Sequence, residues 1–121
     1  MKPIRMREGI VEISAFQAAE GLVIRVNEAR IDAAVAIEFK EAVRARAEGQ
    51  GSPVILDLSS VTFLDSSGLG AVVAVMKLLG KEQALHLAGL TPPVAKVFRL
   101  TRMDSIFTIL PSPPGAIETT G

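Results

Sequence analysis

An α/β fold with a sheet that is at least partly parallel is predicted for this 121-residue chain, on three observations. After an opening pair of β-prone runs, strand patterns alternate with helical periodicity through residue 110. That order, roughly ββαβαβαβ, requires crossover connections. The run VILDL is nearly continuous in apolar residues, the pattern of a strand covered on both faces. Hydrophobic residues make up 49% of the chain against 21% charged, enough to bury one core in a length that suits one domain.

Each element has its own signal. Residues 13–17 and 22–27 are β-prone runs separated by AAEG, which predicts a hairpin. Residues 33–48 read as a helix whose stripe is Val35, Phe39, Ala42 and Val43. Ile37 falls outside that stripe, and Glu38, Glu41, Arg44 and Glu48 lie largely elsewhere. Gly49-Gln50-Gly51 supplies the stop and Pro53 opens the next element. The strand over residues 54–58 leads through a polar stretch into a second helix over 67–79, which Gly80 ends. Residues 84–88 form another strand. Thr91-Pro92-Pro93 starts a third helix with a hydroxyl cap and proline in the first turn, and Val94, Val97, Phe98 and Thr101 recur at i, i+3, i+4 and i+7. A last strand covers 106–110. Residues 111–121, PSPPGAIETTG, read as a flexible proline-rich tail after a single domain spanning 1–110.

Composition removes several function classes. Thirteen basic residues balance thirteen acidic ones, so the chain lacks the basic excess that phosphate neutralisation demands, and no nucleic-acid partner is expected. There is no cysteine, which excludes disulfides, thiol catalysis and Cys-ligated metals. One histidine, His86, cannot build a multi-histidine metal site, so no metal or cofactor is expected. No stretch reaches about eighteen uninterrupted apolar residues, and residues 1–14 lack the apolar core of a signal peptide. The expectation is a soluble, cytoplasmic protein without a membrane span.

Residues 54–79, VILDLSSVTFLDSSGLGAVVAVMKLL, are the unusual segment. Ser66 or Ser67 at a helix start can cap a free amide. Gly68 and Gly70 need a different reason, since glycine inside a helix costs about 1 kcal/mol relative to alanine; a strand or another molecule must come close to the backbone there. Leu69, Val72, Val73, Met76 and Leu79 form one apolar face, and Gly70, Ala71, Ala74, Val75 and Leu78 form the other, with Lys77 as the helix's only charge. An outward face without charge predicts a docking surface beside the serines.

The DSSGLG turn after VILDL, with Ile31-Asp32-Ala33 at the start of the preceding helix, resembles the STAS domain of bacterial anti-sigma factor antagonists over roughly residues 10–110. The resemblance implies the STAS fold: a mixed sheet of about four or five strands covered by about three or four helices. It implies phosphorylation of the first serine of the motif, here Ser66, by a GHKL-type serine kinase that is also the anti-sigma factor. A PP2C-type phosphatase then resets the switch. Asp32 matches an acidic position of the family near that site. Asp32, Asp65, Ser67, Gly68, Leu69, Gly70, Ala71, Ala74 and Val75 are accordingly expected to meet the partner. The chain departs from the family at Ala29, where a glycine is frequent, and at Arg30 beside it.

Other readings of the same residues are set against these. Asp65 and Asp32 also suit turns that satisfy backbone amides. Ser66, His86 and Asp65 formally make up a hydrolytic triad, yet no G-x-S-x-G elbow surrounds the serine, and a non-enzyme is expected. Gly68 and Gly70 complete neither a Rossmann fingerprint nor a P-loop. His86 reads as a partly buried strand residue, and Lys96, Arg99 and Arg102 as the solvated face of the third helix. The alternative function is a STAS subunit docked permanently in a lipid-transport or stress-signalling complex.

Overall fold

The computed structural model describes residues 11–115. The chain opens with the hairpin β1 (Ile13–Ala18) and β2 (Gly21–Val26), continues through the two-residue strand β3 (Arg30–Ile31) into α1 (Ala36–Ala47), and enters β4 (Val54–Asp57). A second two-residue strand, β5 (Phe63–Leu64), leads into α2 (Ser66–Leu79); β6 (Leu85–Ala88), α3 (Pro92–Leu100), a 3-10 turn (Met103–Ser105) and β7 (Thr108–Leu110) follow.

The main sheet has five strands in the order β1-β2-β4-β6-β7. Only the hairpin is antiparallel, with Ala18 opposite Gly21; β2–β4, β4–β6 and β6–β7 are all parallel. α/β class, mixed sheet and element order agree with the sequence reading. The addition is β3 and β5, which pair in parallel as a separate two-stranded sheet with Arg30 opposite Phe63 and Ile31 opposite Leu64. Two residues are too few to show a period, so both strands read as loop in the sequence.

The core lies between the main sheet and the helices. Leu22, Ile24, Val54, Leu56 and Leu87 from the strands meet Phe39 and Val43 of α1, Val72 and Val75 of α2, and Val94 and Phe98 of α3 in one cluster. A smaller cluster, Ala18, Val23, Ile55 and Ala88, occupies the opposite sheet face. All four residues of β4 are fully buried, as a central strand with two covered faces requires. Phe98 and Phe107 pack edge to face with centroids 5.9 Å apart.

Some boundaries moved for local physical reasons. The first helix starts at Ala36 and not at 33, because Asp32 holds the intervening residues in a turn: its Oδ1 accepts from the Ala34 amide at 3.1 Å and its carbonyl from the Val35 amide at 3.1 Å. Ile37 is 70% exposed, consistent with its place outside the stripe. On the solvent side of α1, the hydrogen bond and charge of Arg44 hold the Glu41 carboxyl below its ordinary range. Thr91 starts α3 but does not cap it with its side chain; the hydroxyl donates instead to the Val61 carbonyl at 2.6 Å and ties α3 to the segment before β5. The proposed tail begins against the fold: Pro113 stands 3.3 Å from where a Cβ on Gly89 would lie. Its residues 116–121 lie outside the described ones.

Asp57 is a charged residue with no solvent exposure, and the sequence reading passed over it inside VILDL. Its Oδ1 accepts from the Ser59 amide at 2.9 Å and the Ser59 hydroxyl at 2.5 Å, and its Oδ2 from Arg25 Nε at 3.0 Å. The carboxylate thereby turns the chain at the end of the central strand. Arg25 is about half exposed, so water screens its share of the pairing. Asp57→Ala is expected to lower stability by roughly 2 kcal/mol, mostly through the lost Ser59 bonds, as read by urea denaturation. An unchanged midpoint would count against this role.

Candidate functional site

The site is built where the two-stranded sheet meets the start of α2. In the β3–β5 register the second and last pair, Ile31 and Leu64, is buried, and Asp32 and Asp65 are the residues that follow each of them in the chain. Arg30 and Phe63, one pair earlier, face the opposite way from the buried pair, as strand alternation requires. The Arg30 guanidinium lies 4.1 Å from the centre of the Phe63 ring, with Phe63 38% exposed. Arg30 Nε also reaches Asp32 Oδ2 at 3.4 Å.

Asp65 is the residue that caps α2. Its extended backbone precedes the helix and its Oδ1 accepts from the Gly68 amide at 2.9 Å. This corrects the expectation that Ser66 or Ser67 is the cap. Aspartate wins the position because it comes one residue earlier, where the chain is still extended. Ser66 and Ser67 are then the first two helical residues, both exposed, and neither hydroxyl hydrogen-bonds to another described residue. Asp65→Ala is expected to cost about 1 kcal/mol of stability, read by thermal denaturation with Ser66→Ala and Ser67→Ala as controls that change it little.

Gly68 is buried against β3. A Cβ there would stand 2.1 Å from the Ile31 carbonyl oxygen and 2.8 Å from Leu64 Cδ1. Of the two explanations for this glycine, close approach of a strand is the one the structure supports. Gly70 is exposed, with nothing within 4 Å of the equivalent point, so no part of the described chain explains it.

The buried stripe of α2 also differs from the expected one. Gly68, Ala71, Val72, Val75 and Leu79 are buried, while Leu69, Val73 and Met76 are half-buried at its flank. Ala71 and Val75, placed on the docking face by the sequence reading, are 7% and 0% exposed. Together with Gly68 they lie on the core side of α2, and Val75 has no exposed surface. Almost every residue of α2 is apolar, so hydrophobicity does not set the phase. Small residues do, because they let the helix approach β3 and pack beside α1. What faces outward is Ser66, Gly70, Val73 and Lys77 in one row, and Ser67, Ala74 and Leu78 in the next. Leu78 is 52% exposed. Of the expected contact residues, Ser67, Gly70 and Ala74 lie on this face, Leu69 is half-buried, Asp65 caps the helix, and Asp32 follows β3.

The other candidate chemistries find no constellation. Among the described residues no group of His, Asp and Glu is arranged to hold a metal ion, and no helix is long and apolar enough to cross a membrane. His86 is half-buried on β6, paired in register with Ile55 and Thr108, whereas Asp65 and Ser66 stand at the start of α2.

With this geometry in hand, comparison with known proteins is decisive for the family. The STAS domain model matches residues 11–116. The chain belongs to the STAS family. An anti-sigma-B factor antagonist of Listeria monocytogenes is 35% identical to this STAS chain over 80 residues, covering 65% of the chain and 70% of the relative. An anti-sigma F factor antagonist of Paenibacillus polymyxa is 32% identical over 78 residues, 64% of this chain and 62% of that one. Among solved structures, an anti-sigma factor antagonist from Mycobacterium paratuberculosis superposes with a TM-score of 0.74 at 26% identity, over 84% of this chain and 86% of its own.

Sequence reasoning missed the Arg30–Phe63 stack and the pairing of β3 with β5. A signal was present: Arg30-Ile31-Asp32 and Phe63-Leu64-Asp65 share one pattern, an apolar residue followed by aspartate, just before the turn into α1 and the start of α2.

Proposed function

We propose that this STAS protein is an anti-sigma factor antagonist switched at Ser66, and that it is not an enzyme. The unmodified form binds an anti-sigma factor that is also a GHKL-type serine kinase, and so frees a sigma factor. The kinase transfers the γ-phosphoryl group of ATP to Ser66 Oγ; the hydroxyl proton and ADP leave, and the phosphorylated form lets go. A PP2C-type phosphatase restores the serine by hydrolysis, releasing inorganic phosphate.

The observation that carries this reading is the division of labour at the start of α2. Asp65 takes the capping task, leaving Ser66 exposed and its hydroxyl without a hydrogen-bond partner among the described residues. The outward face beside it holds a single charge, on Lys77 in the last turn. A structural serine would be engaged in a bond, whereas a hydroxyl presented to solvent beside an apolar surface suits a kinase and a docked partner in turn. The names of the relatives support the same role.

Phosphorylation adds roughly −1.5 to −2 charges and three acceptor oxygens at one point. A helix N-terminus tolerates an anion, so the fold is expected to persist and the effect to fall on the interface. The test is phosphopeptide mapping of the protein purified from its own cells, with Ser66→Ala alongside. Phosphate on Ser66 that is lost in the variant is the expected result. A protein that stays unmodified across growth and stress conditions while copurifying with one fixed partner would overturn the switch and favour a constitutive docking subunit.

A further inference from the structure

We infer that Arg30 is the intramolecular counter-charge for a phosphate on Ser66, changing partner from Asp32 to the phosphoserine when the switch is thrown. The inference rests on the reading of Ser66 as a phosphorylation site and concerns what this chain does with the phosphate.

A phosphate on Ser66 arrives in an acidic corner. Asp65 is the preceding residue, and Asp32 follows Ile31, whose carbonyl oxygen lies against Gly68 in the first turn of α2. The Gly68 amide, one of the donors a helix N-terminus offers an anion, already serves Asp65. Without a cation, a group carrying close to two negative charges would sit beside two carboxylates. Arg30 is that cation. It pairs in register with Phe63, three residues before Ser66, and its Nε already reaches the Asp32 carboxylate.

Its present contacts suit a poised group and not a fixed one. The side chain is 61% exposed and its bond to Asp32 is long, at 3.4 Å, while the face of Phe63 supports the guanidinium plane 4.1 Å from the ring centre. Stacking on Phe63 leaves the guanidinium edge, with its N–H donors, free to point elsewhere. Arginine forms charge-assisted, often bidentate bonds to phosphate that are stronger than a single stretched bond to an exposed carboxylate. A swing about the Phe63 platform therefore exchanges Asp32 for the phosphate, releases Asp32 to the surface, and couples the chemistry at Ser66 to the charge pattern of the β3 edge.

The experiment uses the full chain with phosphoserine installed at position 66 during synthesis, so it does not depend on whether any cell phosphorylates the protein. The second pKa of the phosphate, ordinarily near 6, is followed by phosphorus NMR titration in the parent, in Arg30→Gln and in Arg46→Gln. Arg46 is an exposed cation in the last turn of α1. Loss of Arg30 is expected to raise that pKa by about half a unit, roughly a threefold change in proton affinity, and loss of Arg46 to leave it in place. Equal values in the parent and Arg30→Gln would overturn the inference, as would an equal rise in Arg46→Gln. Failure of the phosphorylation reading is registered separately, by absence of the modification in cells.

Discussion

Gly68→Ala is expected to destabilise the protein by about 3 kcal/mol, the upper part of the range for overpacking a close-packed site. The added methyl group would stand 2.1 Å from the Ile31 carbonyl oxygen, which is backbone and cannot rotate away. Either α2 backs off from β3 or the two-stranded sheet gives way. The partner substitution Gly70→Ala should do the reverse, raising stability by up to about 1 kcal/mol, because that position is helical and open on all sides. A fall in melting temperature of about 10 °C or more for the first and a rise of a few degrees for the second is the expected pattern in a domain of this size. Equal stability of Gly68→Ala and the parent would refute the close approach. The consequence reaches the site, since the contact between Gly68 and Ile31 holds β3, with Asp32 after it, against the first turn of α2. Gly70→Ala, harmless to the fold, offers a clean probe of whether a partner needs that open space.

Ser66→Asp is expected to weaken binding to the anti-sigma factor kinase proposed as the partner about a hundredfold, with little effect on folding. Like charges brought together across an interface cost several kcal/mol, and about 2.8 kcal/mol already suffices for that factor. Ser66 is exposed and its hydroxyl has no hydrogen-bond partner among the described residues, so neither Ser66→Asp nor Ser66→Ala should move stability by more than about 0.5 kcal/mol. Ser66→Ala should bind as the parent does and resist inactivation by ATP. Titration calorimetry of the three proteins against the kinase decides it. Parent-like affinity for Ser66→Asp would mean that charge at this point does not control docking.

The sequence by itself determined the α/β class, the hairpin, the three helices, the buried central strand and the serine pair after Asp65. These depend on short-range chemistry: a period of two or of 3.6, a glycine stop at Gly80, prolines in the first turn of α3, a nearly continuous apolar run at β4. Motif and position together also named Ser66 as the residue to test.

Three matters were left to the tertiary structure. The capping role passed to Asp65 because backbone geometry, and not residue type, decides which of three adjacent polar side chains meets the Gly68 amide. The phase of α2 was hidden because a helix apolar on nearly every side carries no directional signal; the approach of Gly68 and Ala71 to the core chose the buried face and put Ala71 and Val75 on it. The pairing of β3 with β5 joins residues more than thirty positions apart through two-residue strands too short to have a pattern. The placing of Arg30, Asp32 and Asp65 at the ends of β3 and β5 thus has a cause that local propensity does not contain: long-range backbone pairing joins the two strands, and a buried glycine contact sets α2 against β3.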